Sequence, residues 1–476
     1  LGWFLLLFGA CLLAAGSSWA GSVDTYGIGA RATSLGGAYA ANAEGPFAAY
    51  YNPAGLTQTE RPVASVGIMA LDPDLEAKSY SVENSDYDDL GPKDVSDESD
   101  NLYPPHLGAA MSINNKWSIG LAAYAPFGLH LKWEDNPNKN PASYNSYESW
   151  YDRQVVTPTA AYKLNEQWSF GVGVSLGRSN AGHYYNSYGL NMLGKKITKA
   201  NKALPWANWN DGAITGAIEG EMEDSFNYSA NLGVMYKPTK NWSMGLTYRS
   251  QADADFEGDL KFKNLSDEEK NAINSYLNAP IAQKGAGLTN AELKDEYDIS
   301  LDSVDHPDQI QIGLRYQINP DLSLEGDLVW TRWSMVDDQK VKIDDADAAV
   351  KELLDGDKIV SERDWENTRQ VRVGVEWQTT DMVTLRGGYF YDPSPIPDDT
   401  FDAEWTGADK KTYSIGAGFD INKNWTVDTV VQYSIVEHDR IIGGESYNLN
   451  DSYESDNIDN NADVSTKADG DIWGYG

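Results

Sequence analysis

Cysteine is all but missing from this sequence of 476 residues: the only one is Cys11. It lies in an uncharged apolar run, Leu1 to Ala15, followed by Gly16-Ser17-Ser18-Trp19-Ala20. Ser18 and Ala20 are the small residues a signal-peptidase site needs, so residues 1–20 read as a signal peptide and Gly21 as the mature start. The mature chain then has no disulfide and no thiolate chemistry. Apolar residues continue past Cys11, which argues against lipidation there. No Met and no Lys or Arg precede the run, so the sequence is expected to lack its first few residues. The run is shorter than the ~20 residues a spanning helix needs, and no later stretch approaches that length. Basic residues are also few. The 37 Lys and Arg face 72 Asp and Glu, a formal charge of −35 that excludes a nucleic-acid-binding face. The five histidines, His106, His130, His183, His306 and His438, sit in no catalytic signature. No calcium-loop motif is present, so neither a metal site nor a cofactor is assigned.

What is present is a short pattern that recurs. It reads Asn114-Asn115-Lys116-Trp117-Ser118-Ile119, then Asn165-Glu166-Gln167-Trp168-Ser169-Phe170 and Thr239-Lys240-Asn241-Trp242-Ser243-Met244. It returns as Asn319-Pro320-Asp321-Leu322-Ser323-Leu324, Thr380-Asp381-Met382-Val383-Thr384-Leu385 and Asn422-Lys423-Asn424-Trp425-Thr426-Val427. Each is a tight polar turn, a bulky apolar residue, Ser or Thr, and a second apolar residue. The spacing runs from 42 residues (383 to 425) to 80 (242 to 322), which excludes a solenoid or propeller. The repeating unit is a short turn with its two flanking strands.

The flanks alternate with period two. Trp168, Phe170, Val172, Val174 and Leu176 interleave with Ser169, Gly171, Gly173, Ser175 and Gly177. Ile310, Ile312, Leu314 and Tyr316, and later Val371, Val373, Val375 and Trp377, do the same. Such alternation means strands with one apolar face. A soluble sandwich also alternates, but three features favour a membrane barrel. Segments run ~10 residues, short and long connections alternate, and Trp or Tyr end the apolar rows, as at an aromatic belt (Trp117, Trp168, Tyr236, Trp242, Trp377, Trp425). Strands are expected at 62–71, 106–113, 117–127, 153–164, 168–179, 225–237, 242–251, 307–318, 322–333, 369–378, 382–392, 411–421 and 425–437. Single-chain bacterial barrels have an even number. Asp471-Ile472-Trp473-Gly474-Tyr475-Gly476 therefore reads as the start of a fourteenth strand, cut short. The expected fold class is all-β: a transmembrane antiparallel β-barrel of fourteen strands.

The long connections carry much of the acidity. Glu83 to Asp100 and Val436 to Gly470 read as solvated external loops, with divalent-cation bridging to lipopolysaccharide as a second reading. Two connections are different. Residues 181–224 hold Leu190, Met192, Leu193, Ile197, Leu204 and Trp206. Residues 252–303 hold Asp267-Glu268-Glu269-Lys270 followed by Ile273, Tyr276, Leu277 and Ile281, a short amphipathic helix. These apolar residues either pack on one another or form a landing site for an apolar ligand.

Three motifs carry a resemblance. One pairs Gly29-Ala30-Arg31-Ala32-Thr33-Ser34-Leu35-Gly36-Gly37-Ala38-Tyr39 with Tyr51-Asn52-Pro53-Ala54-Gly55-Leu56. The others are Tyr124-Ala125-Pro126-Phe127-Gly128-Leu129 and Arg386-Gly387-Gly388-Tyr389-Phe390-Tyr391-Asp392-Pro393-Ser394-Pro395-Ile396-Pro397-Asp398. Over nearly the whole mature chain the sequence resembles the outer-membrane long-chain fatty-acid and aromatic-hydrocarbon transporters of the FadL/TodX type. The resemblance implies a hatch, residues 21–61, folded inside a barrel of residues 62–476, with Asn52, Pro53 and Ala54 as its motif. A nearly uncharged segment of Gly, Ala and Tyr suits a confined lumen, where Arg249, Arg315, Glu325, Arg372, Glu376 and Arg386 are expected to bond its irregular backbone. The resemblance further implies ligand capture by the external loops, with Leu190, Met192, Leu193, Ile197, Trp206, Ile273, Tyr276 and Leu277 as landing residues. Passage to a pocket beside the mature N-terminus would follow, then lateral release at a kink in the third strand, with Pro126, Phe127 and Gly128 able to bend or end that strand.

The implied partners are a hydrophobic small molecule and the lipid and lipopolysaccharide of a Gram-negative outer membrane, with the chain a monomer. The stretch Asp399 to Lys411 is more acidic than the family's pattern, and no cation for a ligand carboxylate stands out. Fatty acid and neutral hydrocarbon therefore remain equal candidates. The rival functions are an outer-membrane lipid hydrolase, a general porin and an adhesive barrel. The first lacks a motif, the second conflicts with a filled lumen, and the third would show neither conductance nor uptake.

Overall fold

The recurring turn closes on its first residue. The Asn114 carboxamide oxygen accepts from the Lys116 and Trp117 amides at 2.9 and 3.0 Å. Asn165, Thr239 and Thr380 close their turns in the same way, and Asn319 and Asn422 each accept from the amide two residues on. A side chain that substitutes for a backbone acceptor sets a tight reversal and fixes the register of both flanking strands. The bulky residue that follows then lies opposite an aromatic across the ladder. Trp117 meets Tyr162, Trp168 meets Tyr236 and Trp242 meets Tyr316, with ring centroids 4.8, 4.2 and 4.5 Å apart.

The computed structural model describes residues 27–83, 90–203, 209, 211–279, 290–301, 304–405, 407–438, 441–453 and 462–476. The expected leader (1–20), the first residues of the expected hatch and Trp206 lie outside them. Among the described residues, fourteen long strands pair side by side in one antiparallel circuit. The first is Val63–Ile68 continued by Ala70–Glu83; then come Pro105–Ser112, Trp117–Lys132, Glu148–Lys163 and Trp168–Asn186. Ala217–Tyr236, Trp242–Arg249, Gln309–Asn319, Leu322–Thr331 and Thr368–Thr380 follow, then Val383–Asp392, Asp409–Asn422, Trp425–Glu437 and Asp463–Tyr475. Each pairs with the next. The circuit closes where the fourteenth strand pairs with Ala70–Glu83.

That fourteenth strand begins at Asp463, not Asp471, so Asp471–Tyr475 is its later part. Its earlier half resembled an acidic loop because its outward residues are polar until Trp473, while Val464 and Thr466 turn inward and are buried. The fifth and sixth strands also outrun their expected ends, meeting from Ser179↔Asp224 to Asn186↔Ala217. Outward Glu219, Glu221 and Glu223 there mark ladder that stands beyond the apolar band. The 252–303 connection adds the strands Phe256–Lys263 and Glu296–Leu301 to this raised crown.

The two faces differ as the alternation requires. Outward Val172 and Val174 are 48 and 42 % exposed, while inward Ser175 is buried. An exposed apolar row on a closed sheet is lipid-facing surface. Val172→Arg is therefore expected to cost about 2–4 kcal/mol near the bilayer midplane. The heat-modifiable folded band on a gel should weaken; an undiminished band would mean that this strand faces the other way.

Inside the circuit lies the N-terminal segment. It forms the short helices Ala30–Ser34 and Ala48–Tyr51 and the tight helical turn Pro53–Gln58. Inward glycines let it approach the wall on most sides. A side chain at Gly108 would strike Pro46, at Gly120 Leu56, at Gly171 Pro53 and Ala54, and at Gly233 Asn52. At Gly245 and Gly313 it would strike Ala40, at Gly374 Leu35, at Gly388 Leu35 and Gly36, and at Gly416 Ser34. These nine positions occupy nine different strands.

Candidate functional site

Asn52 is fully buried and uses its whole carboxamide. Its oxygen accepts from the Ala54 amide at 3.1 Å, which starts the turn at Pro53. Its nitrogen donates to the Ala40 carbonyl at 2.8 Å and to the Val234 carbonyl of the sixth strand at 3.0 Å. One side chain thus ties two parts of the segment to each other and to the wall.

The wall supplies further partners. Asp327 accepts from the Tyr39 and Ala40 amides at 3.1 and 3.0 Å, and Glu325 from the Ala41 amide at 2.8 Å. Asn231, Ser243, Thr247 and Arg249 donate to the carbonyls of Ala49, Ala41, Tyr51 and Tyr50. Of the six charged residues expected to bond this backbone, Arg249 and Glu325 do so. Glu376 instead pairs with the Arg31 side chain at 3.1 Å, and Arg386 bonds Glu376 and Asp428. Arg315 bonds Gln317 and Ser323, and Arg372 bonds Gln370. Asp327, Asn231, Ser243 and Thr247 are not among those six, although their inward parity along recognised strands marks them.

The third strand breaks its register at Pro126. Tyr124 pairs with Val155 and Phe127 with Arg153, so Ala125 and Pro126 bulge out of the ladder. Proline has no amide hydrogen to give, and a bulge bends the strand that carries it. The alternation changes phase there: Tyr124, Pro126 and Phe127 are all buried. The ladder to the second strand also ends here, at Leu107↔Ala123. Pairing resumes at Phe127 and continues with Gly128 opposite Asp152.

Above the bulge six aromatic rings form a closed circuit of contacts. Phe127 stacks on His306 at 5.2 Å, His306 meets Tyr151 at 5.0 Å, and Tyr151 meets Trp405 at 5.4 Å. Trp405 meets Trp365 at 5.1 Å, Trp365 meets Trp333 at 5.2 Å, and Trp333 returns to Phe127 at 6.3 Å. His306 is fully buried between the Tyr151 hydroxyl (3.0 Å) and the Ser179 hydroxyl (2.7 Å). A serine beside a histidine is half of a hydrolytic triad, but the third group here is a phenol rather than a carboxylate.

The expected landing residues are not an exposed surface. Leu190, Leu193 and Ile197 lie on the helix Tyr188–Ala203, and Ile273 and Leu277 on the helix Asp267–Leu277; all five are buried in one apolar cluster. Met192 and Tyr276 pack against it partly buried. The greasy faces cover each other, so the packing alternative describes them as the structure holds them. The same cluster runs on to Phe127, Tyr151, Trp333 and Trp405.

The acidic stretch after Asp399 has a partner. Arg363 is buried between Asp402 and Glu404 and bonds both. Burial, with Glu404 alongside, pushes the Asp402 carboxyl up despite Arg363. Burial opposes ionisation of Glu404 as well, but Arg363 and His183 outweigh it and hold that carboxyl down. Arg363→Met strands both carboxylates and should destabilise these loops by about 3–5 kcal/mol. Limited proteolysis of the loops should speed up at pH 8. It should do so less at pH 5, because acids with raised folded-state pKa lose stability as pH rises. An unchanged digest would overturn this.

The comparisons with known proteins agree with this geometry. The family model described as outer membrane protein transport protein (OMPP1/FadL/TodX) matches residues 11–475. The chain is 24% identical over 394 residues to the long-chain fatty acid transport protein of Escherichia coli O6:H1, covering 80% of this chain and 79% of that one. A crystal structure of a Pseudomonas aeruginosa FadL homologue superposes with a TM-score of 0.71 at 18% identity, covering 97% and 98% of the two chains. The Pseudomonas putida toluene transporter TodX does so with 0.60 at 15% identity, covering 96% and 99%.

Proposed function

The chain belongs to the outer membrane transport protein family of OMPP1, FadL and TodX, and from that premise we propose how it serves the outer-membrane transport of long-chain fatty acids or hydrocarbons. An apolar molecule enters between the loop helices, follows the continuous apolar cluster down to the six-ring circuit, and leaves sideways into the membrane at Pro126–Gly128. The N-terminal segment, residues 21–61, acts as the hatch that blocks the straight path, with Asn52-Pro53-Ala54 as its fastening. No chemistry is done on the cargo. The driving terms are burial of its apolar area, at about 25 cal/mol per Å², and release into lipid. The protein works as a monomer set in outer-membrane lipid and lipopolysaccharide; the exposed apolar band around Val172 and Val174 supports the lipid contact.

Two observations together carry this reading. The ladder between the second and third strands ends at Ala123, directly below the bulge, while the wall around the N-terminal segment is closed by hydrogen bonds and close glycine contacts. A lateral exit needs the first and an axial pore would need the opposite of the second. Capture at the loops needs the helices Tyr188–Ala203 and Asp267–Leu277 to part, since their landing residues are buried against each other.

The test is uptake of labelled oleate and labelled toluene by cells that lack their own transporter and carry this protein. Uptake of either supports the reading, and uptake of neither overturns it. Deleting Asn52-Pro53-Ala54 removes the three Asn52 hydrogen bonds. It should lower uptake at least several-fold while the barrel stays heat-modifiable on gels. Unchanged uptake would remove the fastening role.

A further inference from the structure

Two inward rings flank the place where the second and third strands part. Their ladder ends at Leu107↔Ala123, so the next residues in that register are His106 and Tyr124. Both are buried, and both lean on one turn of the N-terminal segment. His106 meets the Phe47 ring edge-on at 5.1 Å, and Tyr124 meets the Tyr50 ring edge-on at 5.5 Å. Phe47 caps the helix Ala48–Tyr51 and Tyr50 lies within it, so the two rings stand on one helix face. That turn therefore spans the gap between the strands from inside.

Its two ends are held differently. The Arg249 guanidinium stands over the Tyr50 ring at 4.4 Å and donates to the Tyr50 carbonyl at 3.1 Å, and Tyr51 packs on the same ring at 5.0 Å. The Tyr124 hydroxyl accepts from Thr157 at 3.1 Å. Pulling this end apart would leave buried polar groups unanswered. At the other end His106 has no hydrogen bond or ion pair among the described residues, and Phe47 is partly exposed. Only apolar ring contact is lost when that end lets go. The His106 ring also has a bed. It lies over Gly67, its ladder partner on the first strand, where a Cβ would strike it. The ring is thus turned toward the first strand and away from the third.

We propose that His106 is a positioning residue of the lateral exit. It holds Phe47 across the inner mouth of the gap, and the turn swings away from it about the fixed Tyr50–Tyr124 end when cargo passes. The proposal rests on the transport reading above and adds which end of the turn moves.

The experiment is uptake of labelled oleate and labelled toluene by cells carrying the full chain with Cys11→Ser and one added cysteine pair. Phe47→Cys with His106→Cys, bridged by a short bis-methanethiosulfonate reagent, should lose about tenfold in uptake and regain it with reductant. Tyr50→Cys with Tyr124→Cys, bridged in the same way, clamps the fixed end and should keep most of its uptake. Gly67→Val should push the His106 ring off its bed toward the gap and lower uptake several-fold, while the heat-modifiable folded band on gels stays undiminished. Adding His106→Ala should restore uptake. This second pair keeps the test alive if a cysteine variant fails to fold. Uptake that survives the first clamp, loss under both clamps alike, a folded band that falls in step with uptake, or failure of His106→Ala to rescue Gly67→Val each overturn the proposal. In those cases uptake by the parent chain still upholds transport. A parent chain that takes up neither probe overturns both.

Discussion

Gly388→Val is expected to force the N-terminal segment off the barrel wall, and Gly387→Val, one residue away, to leave it in place. Gly388 faces inward against Gly36 and Leu35, and a Cβ there would sit on the Gly36 amide nitrogen and the Leu35 carbonyl carbon. Both are backbone atoms and cannot swing aside. The contact is reciprocal: Gly36 has φ 64°, a left-handed conformation suited to glycine, and a Cβ on it would come within 2.7 Å of the Tyr389 carbonyl. Gly387 faces outward, and the nearest atom to a Cβ there is the Ser414 carbonyl at 3.9 Å, an ordinary contact. Valine at that position should be neutral or stabilising, because glycine in a strand interior is unfavourable by about 0.5–1 kcal/mol. Overpacking against a rigid neighbour typically costs 1–3 kcal/mol, and more when backbone must move. Conductance in planar bilayers and sensitivity of cells to large antibiotics should therefore rise for Gly388→Val alone. If both variants behave alike, close backbone packing does not hold the segment.

That pair also shows what the sequence made legible. The strands were readable because lipid on one side and a filled lumen on the other enforce period two, and the repeated turn pins the register. Gly171 was visible as a small residue on the face opposite the apolar row, but which backbone it admits depends on the path of the segment through the lumen. No local signal encodes that path. The upper ladder was harder for a different reason. Above the apolar band the outward residues become Glu219, Glu221 and Glu223, so alternation survives while its hydrophobic contrast disappears.

The candidate site was only partly legible. Pro126 announces its own bulge, since proline cannot join a ladder. The six rings above it come from six separate stretches of chain, at 127, 151, 306, 333, 365 and 405. No spacing rule joins residues that meet only when the barrel closes. The landing residues show the opposite limit. Their apolar character was plain, but a helix face that packs on another helix and one that waits for a ligand have the same sequence. Burial alone separates them.

Asp327→Leu should free the N-terminal segment at Tyr39 and Ala40, and this tests which of two wall contacts holds it. Arg31 reaches Glu376 at 3.1 Å, but the arginine is a quarter exposed, and Arg386 also bonds Glu376, so this pair joins side chains and leaves the segment's backbone amides unbonded by it. Asp327 is different. It is buried, and one of its oxygens takes the Tyr39 and Ala40 amides at 3.1 and 3.0 Å and the Gln311 side chain at 2.6 Å. Leucine keeps much of the volume and leaves those donors unanswered, each at about 1–3 kcal/mol. The amides of Tyr39 and Ala40 should then exchange with solvent deuterium roughly thirtyfold faster or more, the rate change that about 2 kcal/mol corresponds to. Asp327→Asn keeps an acceptor and should recover much of the protection. Glu376→Gln should change it little. The Ala41 amide on Glu325 should respond to Asp327→Leu as well, because the three amides are consecutive and their two acceptors stand on one strand face. Faster exchange confined to Glu376→Gln would reverse the order: the ion pair at Arg31 would then be the anchor, and the buried carboxylates would only fill the wall.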